Sequence, residues 1–467
     1  MSTISTTISH GITIGTDGYD SPLTITAAGY VDANSGGVGI DSGSVATVVN
    51  AGTIRGNASY GSGVYLKDGG SVTNQSGGTI SGDEGVVVRN ATGTVVNAGS
   101  TGGTGPGVYL VAGGGVTNQA GGTISGFEGV VVRNATGTVV NAGSIGGNTS
   151  TGYGVSLFAG GSVTNQSGGT ISGYTGVGVE SAATVVNAGS IGGNADTGIG
   201  VHVYTGGSVT NQSGGTISGG ADAVKFQVGY TGRLVIDPGA VFIGTVTGGN
   251  TIGATAISTL ELASGVSAGT LSGLGTKYID FAQITIDTGA QWALSGANTL
   301  GAGATLTNAG TLTNAGSFIN AGIVSGTSEG IVLAAGGSVT NISGGYITGQ
   351  TGVAGSAAAV TVVNDGDISA SVNGVSLGAG GTVTNQSGGT ITGYQAIYGA
   401  GAPVTVINAG TIAASGSTAV GITLAAGGSI TNQSSGTIIG GGTIRGGLYG
   451  GRFTKVSRFT AARPRPW

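Results

Sequence analysis

Residues 69–80 read Gly-Gly-Ser-Val-Thr-Asn-Gln-Ser-Gly-Gly-Thr-Ile. The asparagine of this stretch belongs to an array in which Asn follows a short apolar run at intervals of 21 to 24 residues, at Asn50, Asn74, Asn97, Asn118, Asn141, Asn165, Asn187 and Asn211. A second array with similar spacing contains Asn320, Asn341, Asn364, Asn385, Asn408 and Asn432. A period of this size indicates a solenoid, in which every repeat stacks on its neighbours.

One coil of this solenoid can be traced from residue 63 to residue 84. Three short runs, 63–66, 71–74 and 79–82, alternate apolar and polar residues, and glycine-rich turns separate them. Alternation places Val64, Leu66, Val72 and Ile80 inside, with Tyr65, Lys67, Ser71 and Thr79 outside. The pattern predicts an all-β, right-handed parallel β-helix with about 23 residues and three strands per coil.

The recurring asparagines are predicted to be structural. Asn tolerates the left-handed backbone conformation of a tight corner, and its amide can bond the equivalent amide one coil away. Changes in the spacing divide the chain into five segments. These are an N-terminal capping segment (1–45), a first array (46–224), longer irregular coils (225–304), a second array (305–440) and a basic tail outside the solenoid (441–467).

Composition and charge exclude several function classes. The chain has 467 residues and no cysteine, which rules out disulfides and thiol chemistry. Residues 1–444 contain 7 basic and 18 acidic side chains, a net charge of −11, so we expect no nucleic-acid partner. No apolar run reaches the length of a membrane helix, and the first residues do not resemble a classical signal peptide. No cofactor or metal is predicted.

The repeat sequences resemble those of bacterial autotransporter passengers and filamentous haemagglutinin-like adhesins. The consensus Thr-Val-Val-Asn-Ala-Gly-Ser-Ile and the stretch quoted above are of that style, and segments 234–242 and 284–292 are similar to autotransporter-associated β-strand repeats. The resemblance covers roughly residues 45–440. It implies an exported, non-enzymatic surface protein for attachment or display, located outside the cell or on its surface. Neither the C-terminal barrel nor the autoprocessing Hint domain of such proteins is visible.

The strand that begins with Gly-Val is the predicted place for a ligand. In the first array its outward positions contain aromatic and charged residues, namely Tyr65, Lys67, Arg89, Tyr109, Arg133, Phe158, Glu180, His202 and Tyr204. Matching positions of the second array, such as Ser376, Gly378, Thr423 and Ala425, are bland. Aromatic residues interleaved with cations suit a glycan or a cell-surface protein, and ordinary decoration of a solenoid surface is the alternative.

A polysaccharide hydrolase or lyase is the rival interpretation. Such an enzyme needs paired carboxylates on neighbouring coils. Glu84 and Glu128 occupy the same phase of the repeat, but they are two coils apart, roughly 10 Å at about 4.8 Å per coil. Pro106 holds the matching place between them, and only His10 and His202 could act as a histidine base. We therefore expect no enzymatic activity.

Overall fold

The computed structural model describes residues 2–33, 37–416, 418–440, 445–446, 452–455 and 459–461. Within these ranges the regular elements are β-strands, and no helix is present. The chain is a parallel β-solenoid of about 19 turns, with about 23 residues and three strands per turn. The predicted fold class is confirmed, while the hand of the winding stays a prediction.

The strands divide between two compact units, of which the first comprises residues 1–235 and 239–249 and the second residues 236–238 and 250–467. The strands up to residue 249 are β1 Ser2–Ile4, β2 Thr7–Ile8, β3 Ile12–Ile14, β4 Leu23–Ile25, β5 Tyr30–Asp32, β6 Ile40–Ser42, β7 Ala46–Asn50, β8 Thr53–Arg55, β9 Val64–Leu66, β10 Gly70–Asn74, β11 Thr79–Gly82, β12 Val86–Val88, β13 Gly93–Asn97, β14 Ser100–Gly103, β15 Val108–Leu110, β16 Gly114–Asn118, β17 Thr123–Ser125, β18 Val130–Val132, β19 Gly137–Asn141, β20 Ser144–Gly146, β21 Tyr153–Leu157, β22 Gly161–Asn165, β23 Thr170–Ser172, β24 Thr175–Val179, β25 Ala183–Asn187, β26 Ser190–Gly192, β27 Ile199–Val203, β28 Gly207–Asn211, β29 Thr216–Phe226, β30 Gly232–Ile236 and β31 Val241–Thr247.

The strands of the second unit follow the same pattern of short segments. They are β32 Thr259–Leu262, β33 Gly269–Ser272, β34 Tyr278–Ile279, β35 Gln283–Ile286, β36 Gln291–Ser295, β37 Ala297–Leu300, β38 Thr305–Asn308, β39 Thr311–Asn314, β40 Ser317–Asn320, β41 Ile323–Gly326, β42 Glu329–Leu333, β43 Gly337–Asn341, β44 Tyr346–Gly355, β45 Val360–Asn364, β46 Asp367–Leu377, β47 Gly381–Asn385, β48 Thr390–Gly393, β49 Gln395–Gly399, β50 Val404–Asn408, β51 Thr411–Ala414, β52 Val420–Leu424, β53 Gly428–Asn432, β54 Thr437–Gly440, β55 Arg445–Gly446, β56 Arg452–Lys455 and β57 Phe459–Ala461.

The coil traced in the sequence has the predicted strands, which are β9, β10 and β11. Its four apolar residues Val64, Leu66, Val72 and Ile80 are fully buried. Each strand pairs in parallel with its equivalent one coil away, as β10 does with β7 and β13. Because all three strands repeat in register, the interior is a set of continuous apolar rows, and stacked neighbours supply the burial that one coil lacks.

The recurring asparagines form a ladder inside the solenoid. Nδ2 of Asn118 donates to Oδ1 of Asn141 at 2.8 Å, and Nδ2 of Asn141 donates to Oδ1 of Asn165 at 2.8 Å. Nδ2 of Asn141 also donates to the carbonyl oxygens of Gly143 and Thr170. The predicted amide ladder is therefore confirmed, and it satisfies polar groups that have no access to water.

The prediction of a left-handed backbone at these asparagines was wrong. Among the described non-glycine residues, positive φ occurs at Asn134 and Asp280. Each ladder asparagine instead ends a strand with its side chain buried, and the left-handed positions of the turns are taken by glycines, such as Gly77 after β10, with a φ of 82°, and Gly70 at the start of β10. Gly70 has a φ of 132°, and a Cβ there would lie 2.0 Å from the carbonyl oxygen of Ala46. A side chain cannot occupy that space, so the turn requires glycine.

The predicted segment boundaries stay predictions. In the N-terminal segment, β1 pairs with β4 and β4 with β7, which is the stacking of the later coils. In the C-terminal segment, β55, β56 and β57 pair in parallel with β52, β53 and β54. The remaining residues of 441–467 lie outside the described residues, and so does the prediction of a separate tail.

Candidate ligand-binding face

Three rows of outward-facing residues cover the Gly-Val strands of the first unit, and together they are called the Gly-Val face. The central row runs along β9 to β29 and consists of Tyr65, Val87, Tyr109, Val131, Ser156, Gly178, His202 and Lys225. The leading row precedes it and consists of Ser62, Glu84, Pro106, Glu128, Tyr153, Thr175, Ile199 and Asp222. The trailing row follows it and consists of Lys67, Arg89, Val111, Arg133, Phe158, Glu180, Tyr204 and Gln227.

The arginines of the trailing row lie over aromatic rings. Cζ of Arg89 is 5.6 Å from the centroid of the Tyr65 ring. Cζ of Arg133 is 5.7 Å from the centroid of Tyr109 and 4.3 Å from that of Phe158. These distances are within the range of cation–π attraction. The predicted residues are therefore brought together in two groups, each with a guanidinium held against one or two rings.

The two valines of the central row are buried although their side chains point away from the solenoid interior. Val87 and Val131 are each 1% exposed. Val87 lies in register between Tyr65 and Tyr109, so large side chains flank it on both sides. An apolar layer therefore exists on the outer surface of the sheet, beneath the charged residues of the neighbouring rows.

A second cluster lies further along the same face. The rings of His202 and Tyr204 stack with centroids 3.7 Å apart, and the hydroxyl of Tyr204 is 3.1 Å from that of Tyr153. His202 is 8% exposed, and burial lowers its pKa from 6.5 to about 4. The hydrogen bond with Gln227 opposes this shift, and the charge of Lys225 adds to it. Burial also raises the pKa of Tyr204, with further contributions from Tyr153 and Glu180.

Tyr153 was missed from the sequence. It precedes the Gly-Val dipeptide that begins the strand, so it falls outside the positions that alternation assigns to the face. A Cβ at Gly178 would lie 2.6 Å from Cε1 of Tyr153, which shows that the tyrosine ring lies against the backbone of Gly178. The sequence signal that could have revealed this contact is Gly178 itself, because a glycine at an outward strand position often marks the close approach of another group to the backbone.

The leading row holds the two glutamates that share a phase of the repeat. Glu84 accepts a hydrogen bond of 2.9 Å from the Ser62 hydroxyl. Burial raises the pKa of Glu128, the positive charge of Arg133 opposes this rise, and the negative charge of Glu180 adds to it. Arg133 and Glu128 therefore interact electrostatically across the central row.

The two remaining predicted residues, Lys67 and Glu180, have no aromatic or hydrogen-bonding side-chain contact among those described above. Lys67 is exposed, and its charge lowers the pKa of Asp41, which burial raises more strongly. Glu180 is exposed between Phe158 and Tyr204 in the trailing row. Lys67 therefore contributes a positive charge at the start of the trailing row, and Glu180 contributes a negative charge beside the His202 and Tyr204 cluster.

Between β42 and β52, the described part of the corresponding face of the second unit has no such clusters. Its central row on β42 to β52 consists of Val332, Ala354, Ser376, Tyr398 and Thr423. Its trailing row includes Gly378, Ala400 and Ala425. Tyr398 is an aromatic residue in this row that the sequence analysis did not name. The rest is small or weakly polar, as the alternation indicated.

The described residues contain no group of three or more His, Cys, Asp or Glu side chains placed to hold a metal ion. They also contain no helix with the length and apolar character needed to cross a membrane. No protein-family model, no curated protein and no solved structure matches the chain.

Proposed function

We propose that this protein is a non-enzymatic, exported bacterial surface protein in which a β-solenoid presents the Gly-Val face of the first unit for attachment. The resemblance of the repeats to adhesin and autotransporter passengers supports export and a surface location. The partner would be a glycan or a protein on another surface. The long array would then serve as a stalk that holds this face.

The observation that supports attachment is the uneven distribution of aromatic and cationic residues. The Gly-Val face has two groups of rings with arginines and a third group of stacked His202 and Tyr204. Solenoid stability alone does not require them, because the second unit forms the same coils with Ala, Ser and Thr at most of these positions. Rigid aromatic and arginine side chains are the residue types that dominate protein contacts.

The test replaces Tyr65, Tyr109 and Tyr204 together by Ser and measures attachment of the purified protein to glycan-coated and cell-coated surfaces. We expect attachment to be lost while the far-UV circular dichroism keeps its β signal. The matched control replaces Tyr346, Tyr394 and Tyr398 of the second unit by Ser and should attach normally. Unchanged attachment of the first variant would leave the protein as a spacer without an adhesive face.

A polysaccharide hydrolase or lyase is the second candidate, and the raised pKa of Glu128 is the observation that favours it. A carboxyl with a raised pKa can act as a general acid. Glu84, however, is two coils away, and it accepts a hydrogen bond from Ser62. Replacing Glu84 and Glu128 together by Gln should leave the rate of any polysaccharide cleavage unchanged when it is measured at saturating substrate. A loss of more than tenfold, measured as reducing ends released, would support the enzyme instead.

A further inference from the structure

Two coils of the Gly-Val face have the same seven residues, Glu-Gly-Val-Val-Val-Arg-Asn, at 84–90 and 128–134. Each copy puts a glutamate in the leading row, a buried valine in the central row and an arginine in the trailing row. The coil between them has Pro106, Tyr109 and Val111 in the three rows. The face therefore contains two equivalent pairs of opposite charges, separated by one coil that has a tyrosine.

The arginines are more exposed than the half-buried rings that they lie over. Arg89 and Arg133 are exposed and lie over the rings of Tyr65, Tyr109 and Phe158. A guanidinium that stacks by its flat surface still has N–H groups along its edge, and these fit a carboxylate in a bidentate manner. Stacking on a ring also restricts the arginine before it binds, which reduces the entropy lost on binding.

The glutamates limit which anions can bind. Glu84 and Glu128 lie in the leading row, on the other side of the central row from the arginines. A nucleic acid or another densely charged chain would bring negative charge against these carboxylates. A sugar acid has a carboxylate on one side of its ring and hydroxyls on the other. Its hydroxyls can donate hydrogen bonds to a glutamate while its carboxylate meets an arginine.

We propose that the two coils form two subsites for uronic-acid residues of one acidic polysaccharide. Arg89 and Arg133 bind the sugar carboxylates, and Glu84 and Glu128 accept hydrogen bonds from the sugar hydroxyls. The proposal rests on the proposed adhesive function and names its ligand class. The subsites are two coils apart, about 9.6 Å at about 4.8 Å per coil, so one chain can occupy both. Occupation of both raises the apparent affinity over that of a single subsite.

The experiment measures binding of polygalacturonate to the full chain by calorimetry, together with the same polymer after its carboxyl groups have been reduced to alcohols. We expect binding of the native polymer and about tenfold weaker binding, or more, of the reduced polymer. Arg89→Gln with Arg133→Gln should reduce polygalacturonate binding by a similar factor. Arg55→Gln with Arg233→Gln, two exposed arginines outside the two repeats, is the matched control and should bind normally.

A further variant separates a sugar acid from a simple polyanion. Glu84→Gln with Glu128→Gln removes two negative charges, which would strengthen the binding of any dense polyanion such as heparin or DNA. For polygalacturonate we expect weaker binding, because glutamate is the better acceptor for sugar hydroxyls. Stronger binding in this variant would overturn the uronate subsites, and so would equal binding of the native and reduced polymers. Circular dichroism of every variant checks that the β signal is retained.

The two proposals can fail separately. If the protein attaches to surfaces through its tyrosines but the arginine pair has no effect on polygalacturonate binding, the uronate subsites are wrong and the adhesive face stands. If polygalacturonate binds through the arginines in solution while surface attachment is absent, the subsites stand and the adhesive function is wrong.

Discussion

The two arrays of this solenoid have the same interior and different exteriors. In both, the ladder asparagines and the apolar residues beside them are fully buried, as Asn141, Val139, Asn385 and Val383 illustrate. On the Gly-Val strands, by contrast, the first array has arginine–aromatic groups, and the second has Ser376 and Ala400 at equivalent places. The interior rows therefore set the fold, and the exterior rows are free to be used for binding.

The largest expected effect comes from the interior, and it should be equal in the two arrays. Replacing Asn141 by Ala leaves its ladder neighbours Asn118 and Asn165 without one partner each in a buried position. We expect this to lower the free energy of unfolding by about 3 kcal/mol, the typical cost of unsatisfied buried polar groups. Asn385→Ala should cost the same, since Asn385 also contacts one ladder amide on each side and two backbone carbonyls. Denaturant unfolding followed by circular dichroism measures both.

The matched controls for this pair are Thr138→Ala and Thr361→Ala, which change exposed outward positions. Thr138 lies on the strand that Asn141 ends, and Thr361 lies on β45, one coil before the strand that Asn385 ends. Each should alter stability by less than about 0.5 kcal/mol. A clear difference between Asn141→Ala and Asn385→Ala would show that the two interiors are not equivalent.

An effect of intermediate size is expected in the first array, where the free energy of unfolding should depend on pH through His202. The folded-state pKa of His202 is about 4, below the 6.5 of an exposed histidine. The unfolded chain therefore binds the proton first as the pH falls, and the folded state loses stability between pH 6.5 and about 4. A shift of this size corresponds to about 3 kcal/mol, which partial solvent screening reduces to about 2 kcal/mol, and the loss should be complete below the folded pKa. Above pH 6.5 this residue adds no pH dependence.

His202→Gln removes the titrating group and should flatten this part of the stability curve. The measurement is the free energy of unfolding of the wild type and the variant across this pH range. The difference between the two curves isolates His202 from the carboxylates, whose titration both proteins share. Parallel curves would show that burial does not hold His202 neutral in the folded state.

The smallest effect is expected from a double substitution that copies an arginine–tyrosine contact of the first array into the second array. Ser376→Tyr with Ala400→Arg places a tyrosine in the central row of β46 and an arginine in the trailing row one coil later. This is the relation of Tyr65 to Arg89. We expect the pair to couple by about 0.5 to 1 kcal/mol in a double-mutant cycle, the usual strength of an exposed cation–π contact. A coupling energy of zero would mean that contacts other than the tyrosine ring hold the arginines in place in the first array.

The sequence by itself determined the solenoid, its period, its three strands per coil and its inward rows. These properties follow from apolar residues that repeat with a period of two within strands and of about 23 between coils, and such local patterns are readable without coordinates. The amide ladder could also be predicted, because asparagines at one phase of a repeat must stack. The backbone conformation of those asparagines could not, since it depends on how the neighbouring glycines form the corner.

Only the tertiary structure decided which outward residues meet. Tyr65 and Arg89 are 24 positions apart in the sequence, yet they lie in adjacent rows of adjacent coils. Some turns contain a few more residues than others, so the number of residues per coil varies. The register that places Arg133 between Tyr109 and Phe158, and Tyr153 over Gly178, is therefore visible only once the strands are paired. The physical reason is that contacts between coils depend on strand register, which the backbone hydrogen bonds of the whole stack fix together.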